Sequence, residues 1–226
     1  MTKLPKLAVY IVLTVVIFTV YNRPCLAFDD GDFQFWTTAN ASVGINEDWK
    51  CTFEQEFKFG DDAGELYYSH SDLGFVYQGM ADWLDLGFNY RQVFGRKGSK
   101  YDWKQENRPH LNFTIKGKLF DLNVSNRSRF EFRDIESRDD HWRYRNKSTV
   151  KLPLELTGLK LKPYVADEIF VALNDDNVNQ NRLYAGFSFD VLENMIGEVY
   201  YVWATGRTDD GWIDVNALGT RLKFSF

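Results

Sequence analysis

The stretch Leu119-Phe-Asp-Leu-Asn-Val-Ser-Asn-Arg-Ser-Arg-Phe-Glu-Phe-Arg133 puts all its charge on one parity. Asp121, Arg127, Arg129, Glu131 and Arg133 alternate with Phe120, Leu122, Val124, Phe130 and Phe132. Eight residues, Asp134-Ile-Glu-Ser-Arg-Asp-Asp-His141, connect it to a second arm built the same way. There Arg143, Arg145, Lys147 and Lys151 oppose Trp142, Tyr144, Val150 and Leu152. A period of two means extended chain with one apolar and one ionic face, so Leu119 to Pro153 reads as a β-hairpin.

The same period runs outward from this hairpin in both directions. Phe33–Val43, Trp49–Phe59, Tyr67–Gln78, Trp83–Phe94 and Arg108–Lys116 precede it as strands. Lys160–Leu173, Arg182–Asp190, Gly197–Thr205 and Trp212–Phe226 follow. Gly60-Asp-Asp-Ala-Gly64 and Asn174-Asp-Asp-Asn177 read as turns, and Gly95–Asn107 as the longest polar connector. The parity of the Lys160–Leu173 strand is ambiguous, because Asp167 and Glu168 are adjacent. The direct count is eleven strands. Single-chain bacterial outer-membrane barrels have even numbers, which moves the expectation to 10 or 12.

The N-terminus has the layout of an export signal. Lys3 and Lys6 precede an apolar run from Leu7 to Val20, and Ala27 follows. The run is short for a spanning helix, and the pattern predicts cleavage after Ala27, with Cys25 at the −3 position. Lipid modification of Cys25 and an uncleaved anchor are the rival readings. Residues 28–226 would then form a single domain. Loss of Lys3, Lys6 and Arg23 moves the formal charge from −5 to about −8, which disfavours nucleic acid as a partner. Cys51 is left as the one thiol, so no internal disulfide can staple the exported chain.

Alternation alone suits either a soluble β-protein with its apolar face inward or a transmembrane barrel with that face on lipid. Dense charge on the polar parity favours the membrane. So do the 7 Trp, 12 Tyr and 19 Phe, several of which fall near strand ends, as in interfacial belts. The ending Gly219-Thr-Arg-Leu-Lys-Phe-Ser-Phe226 points the same way. Leu222, Phe224 and Phe226 resemble the C-terminal signal by which outer-membrane barrels engage the barrel-assembly machinery, although the glycine stands two residues earlier than usual. The expected fold is an all-β, antiparallel transmembrane barrel of about 10–12 strands, monomeric or trimeric, with outer-membrane lipid around it.

The mature chain also resembles an uncharacterised, domain-of-unknown-function family of predicted outer-membrane β-barrels. The resemblance lies in Phe35-Trp-Thr37, Phe53-Glu-Gln-Glu-Phe57, Arg127–Arg133 with Trp142–Arg145, Pro163–Phe170 and Asn181–Gly186. It implies a Gram-negative outer membrane, and it brings neither catalytic residues nor a substrate.

If the ionic parity lines a lumen, Arg127, Arg129, Arg133, Arg143, Arg145 and Lys147 form a basic wall, with Arg108, Lys116 and Lys151 beside it. Acids stand on earlier strands, and Glu54 and Glu56 are the expected counter-charges, with Asp72 and Asp85 nearby. Such a wall would guide small anionic solutes through a narrow passive channel. Equally, the two sets could pair across a small lumen and hold it shut. A barrel lipid hydrolase has less support. His70 and Ser71 are adjacent in Tyr68-Ser-His-Ser-Asp-Leu-Gly74, so they face opposite ways, and His110 and His141 have no evident partner. No enzyme activity is expected, and no cofactor. Asp29-Asp-Gly-Asp32 and Asn174–Asn177 lack the spacing of a calcium loop, so no metal is expected either.

Overall fold

A computed structural model describes residues 30–96, 102–174, 177–208 and 211–226. The expected signal segment 1–27, with Cys25 and Ala27, lies outside the described residues, as does the middle of the Gly95–Asn107 connector.

Eleven strands make up the fold. They are β1 (Asp32–Gly44), β2 (Trp49–Gly60), β3 (Glu65–Ala81), β4 (Leu84–Arg96), β5 (Trp103–Leu119) and β6 (Leu122–Ile135). Then come β7 (His141–Lys151), β8 (Lys162–Ala172), β9 (Asn177–Leu192), β10 (Met195–Thr208) and β11 (Gly211–Ser225). Each pairs antiparallel with the next, and β1 closes on β11 in parallel, from Asp32↔Val215 to Ser42↔Ser225. Closure leaves no free sheet edge.

The count of eleven corrects the even number that the sequence suggested. Every hairpin reverses the chain, so the first and last of eleven strands run the same way. A parallel seam is then the one way to close the wall. Two boundaries also move. Leu119 ends β5 rather than starting the arm first quoted; Phe120 (φ 54°) and Asp121 are the hairpin turn. A positive φ at the first turn residue matches the twist of the strands it joins. Residues Trp103–Asn107 belong to β5, not to the polar connector. Their alternation is concealed because both faces are polar there.

At one rim, three of the connections are two-residue turns: Asp82–Trp83, Phe120–Asp121 and Glu193–Asn194. We call this the turn rim, although the ten-residue connection from 152 to 161 also lies on it, folded back by the Leu156↔Leu161 bridge. The loop rim opposite carries, among the described residues, the connections at 61–64 and 136–140.

The wall is apolar outside and ionic inside. Phe88 (59% exposed), Leu73, Phe75, Phe113, Ile115 (52%), Leu183 and Val199 stand on the outer face. Polar side chains on that face bond to one another. Asn126, Ser128, Asn146, Ser148 and the Tyr144 hydroxyl form a cluster with contacts of 2.8–3.2 Å. Asn181 donates to Asp167 (2.7 Å), and Ser71 donates to Gln55. Polar groups paired in this way can stand against hydrocarbon. Cys51 lies half-buried on the outer parity, as its neighbours Trp49 and Phe53 suggested.

Inside, the side of the wall from β8 through β11 to β1 carries an aromatic cluster beside its ions, among them Glu168, Arg182 and the Glu198–Arg221 pair. Trp36, Tyr164, Tyr184, Tyr200, Val202, Ala204 and Ala217 pack there into one buried cluster. Tyr200 fits because it lies over two glycines. A Cβ on Gly186 would come 2.6 Å from the Val199 carbonyl oxygen and 2.8 Å from the Tyr200 Cα; one on Gly219 would meet the Tyr200 ring at 2.2 Å. The out-of-place glycine of the C-terminal signal therefore has a packing role. Gly186→Ala is expected to cost about 1–3 kcal/mol, because the clash is with backbone. Gly117→Ala, where a Cβ meets nothing within 4 Å, is expected to cost much less. The urea midpoint of refolded barrel in detergent, followed by tryptophan emission, measures both.

Candidate functional site

The register explains how the basic wall forms. Strands β6 and β7 pair Glu131 with Arg143, Arg129 with Arg145 and Arg127 with Lys147, all facing inward. Strand β8 brings Glu168 opposite Lys147 and Phe170 opposite Arg145. The ambiguous parity of this strand resolves as Tyr164, Ala166, Glu168 and Phe170 inward, with Asp167 outward.

Glu131 (0% exposed) accepts from Arg143 Nε (2.7 Å) and Nη2, and from Arg145 Nη1 (2.8 Å); Arg129 Nη1 lies at 3.5 Å. Glu168 (1% exposed) accepts from Arg145 Nη2 (2.7 Å), Arg127 Nη2 (3.0 Å) and the Tyr184 hydroxyl (3.0 Å). Arg145 thus joins the two carboxylates. Its guanidinium also lies 4.5 Å from the centre of the Phe170 ring, with Arg182 at 4.8 Å and Arg143 at 5.3 Å. Lys147 sits over Tyr184 at 3.6 Å. Ring faces attract cations placed in this way by about 0.5–2 kcal/mol each.

A second cluster occupies the opposite wall. The His70 imidazole lies between Glu54 (2.8 Å) and Glu56 (3.3 Å). Arg91 reaches both Glu54 (2.8 Å) and Asp72 (2.7 Å), and Lys58 is 3.5 Å from Glu56. Nearer the loop rim, Arg133 grips Glu106 with two bonds (2.6 and 2.8 Å), and Arg108 donates to the same carboxylate (2.7 Å).

Every residue expected to line the lumen faces inward, but the pairing differs from the expectation. Glu54 and Glu56 serve His70, Arg91 and Lys58; the counter-charges of the Arg wall are Glu131, Glu168 and Glu106. Partners across a lumen are set by strand register and radius, which alternation does not encode. His110 and His141, which seemed to lack partners, have them. His110 is buried, with Nδ1 3.2 Å from the Arg108 carbonyl oxygen and Nε2 without a hydrogen bond among the described residues, and His141 Nε2 lies 3.2 Å from Arg133. His70 points inward and Ser71 outward, as their adjacency requires. No group of three or more metal-ligating side chains occurs among the described residues.

Most of the lumen is filled. Beside Glu131, Glu168 and Phe170, the inward residues Tyr200, Val202, His70 and Gln34 are fully buried. A cavity of about 240 Å³ remains towards the turn rim, lined in part by Lys50, Asp85, Gly87, Asn112, Arg127 and Arg129.

Removing a carboxylate from such a network strands the guanidiniums it held. Glu131→Gln should therefore cost about 3–5 kcal/mol of stability. Lys162→Gln, at an exposed rim pair with Asp190, should cost less than about 1 kcal/mol. Urea unfolding of the two variants in the same detergent separates these outcomes.

Among solved structures, the chain is similar to LpxR from Salmonella typhimurium, with 9% identity and a TM-score of 0.49. The alignment covers 78% of this chain and 83% of that one. No curated protein matches the sequence. The profile described as "Protein of unknown function (DUF2490)" matches residues 33–214, nearly the whole barrel. The chain belongs to the DUF2490 family.

Proposed function

We propose that the protein is an integral outer-membrane β-barrel of a Gram-negative bacterium, with a lumen held shut by its interior ion network. The observation that carries this reading is the inverted wall: Glu131 and Glu168 are buried at the centre while large apolar side chains are exposed all round the outside. A soluble protein rarely exposes apolar patches of more than a few hundred Å². Lipid is the solvent that suits such a surface, and among sheets only a closed barrel satisfies its backbone there. Short turns mark the periplasmic side of such barrels, so we assign the turn rim to the periplasm. Leu222 and Phe224 on the outer side of β11, with Phe226 at the rim, are the residues we assign to recognition by the barrel-assembly machinery.

In this reading the basic wall is a structural brace before it is a path for solutes. Passage of small anionic solutes would require the Arg145 bridge to open, because Arg143 and Arg145 are committed to Glu131 and Glu168. Catalysis has no part in the proposal, since the inward His70 and the outward Ser71 cannot act together.

Two measurements on refolded protein test it. An unboiled sample should migrate differently from a boiled one on a denaturing gel, as a closed barrel does. In planar bilayers the wild type should give no stable conductance. Steady anion-selective current steps would contradict the closed lumen, and a soluble periplasmic fraction with no mobility shift would contradict the membrane barrel.

A further inference from the structure

We infer that the cavity at the turn rim is a binding site for a small oxyanion, a phosphate group or a compact carboxylate. The inference rests on the closed-lumen reading, which makes this cavity a blind pocket. It exists because the inward residues at this height are small: Thr52 on β2, Gly87 on β4 and Thr114 on β5. Its volume of about 240 Å³ would accommodate one phosphate-sized ion with a few waters, each water occupying roughly 30 Å³.

The charge around the pocket is unbalanced. Four guanidiniums, those of Arg127, Arg129, Arg143 and Arg145, share two carboxylates, Glu131 and Glu168. Arg143 and Arg145 hold the short bonds, and the excess falls on the two arginines that face the cavity. Arg129 is buried, yet its nearest carboxylate oxygen is 3.5 Å away; its Nε is aligned by Asn112 (2.6 Å). Arg127 has one bond to Glu168, and its buried Nε has no hydrogen-bond partner. Lys50, at the mouth, has no ion pair among the described residues. The one acid on the lining, Asp85, is occupied by Lys116 (2.7 Å) and Gln78 (2.9 Å). Neighbouring cations with spare donors favour an anion between them, more strongly where the surroundings are less polarisable than bulk water. Guanidinium forks suit the oxygens of phosphate and carboxylate.

The test is calorimetric titration of the full refolded barrel with inorganic phosphate, at constant ionic strength in chloride. A parallel titration uses glycerol 3-phosphate as the fragment of a lipid headgroup. Wild type should bind phosphate saturably. Arg127→Gln and Arg129→Gln should weaken binding at least ten-fold, Lys50→Gln several-fold, and Lys162→Gln not at all. Gel mobility before and after boiling shows that each variant is folded, and Lys50→Gln keeps the test sound if the arginine variants do not fold. Equal binding of both probes assigns the site to the phosphate group itself, and tighter binding of glycerol 3-phosphate assigns it to a headgroup; either supports the site. Absence of saturable binding of both in wild type, or equal affinity in all variants, overturns it. Conductance of the same preparation reports on the closed lumen separately. A silent barrel that binds no phosphate sinks this inference alone, whereas a conducting barrel sinks the reading beneath it.

Discussion

Arg145 makes the contact on which the buried ion network depends. One guanidinium reaches Glu131 on β6 and Glu168 on β8 and lies 4.5 Å from the centre of the Phe170 ring, so three strands and two acids meet at one side chain. An isolated buried ion pair seldom repays its desolvation. Here each carboxylate has at least three donors, and Arg143 and Arg145 also lie against the Phe170 ring. Carboxylates engaged in this way hold a buried polar network in one arrangement.

The rest of the architecture follows from where that network must be. Charges gain most from pairing where bulk water is displaced, and the buried inner face of the barrel is where these charges meet. The aromatic cluster around Tyr200 packs on the side of the lumen from β8 to β1 and presents ring faces to Lys147, Arg182 and Arg221. Gly186 and Gly219 make room for it. Outside, the apolar parity is left to the surroundings, and the few outward amides and hydroxyls, such as Asn126 and Asn146, bond to each other.

Alternation made much of this legible in the sequence. Eleven strands could be counted directly, and the shared parity of Arg127, Arg129, Arg143 and Arg145 was plain, because side chains two apart on a strand point to one face. The count was lost only when a general rule about even numbers was preferred to it. What alternation could not give is pairing between strands distant in sequence. Glu168 sits beside Asp167, and nothing local says which faces inward; opposite Lys147 on a neighbouring strand, the answer is fixed. Nor does alternation distinguish an inward tyrosine from an outward one, so the aromatic cluster of the lumen, with Tyr184 and Tyr200, was not foreseen. The wall's inversion was argued from composition and end effects, and it needed the positions of Phe88 and Glu131 to become concrete.

The central claim is that the apolar face meets lipid while the charged face is sealed within. It is tested most directly with a nitroxide attached through Phe88→Cys, in a chain whose native cysteines are replaced by serine, reconstituted in lipid vesicles. Relaxation by molecular oxygen, which concentrates in hydrocarbon, should be strong, and relaxation by a water-soluble nickel chelate should be weak. Strong relaxation by the chelate with little from oxygen would mean that position 88 faces water, and the inside-out wall would be wrong.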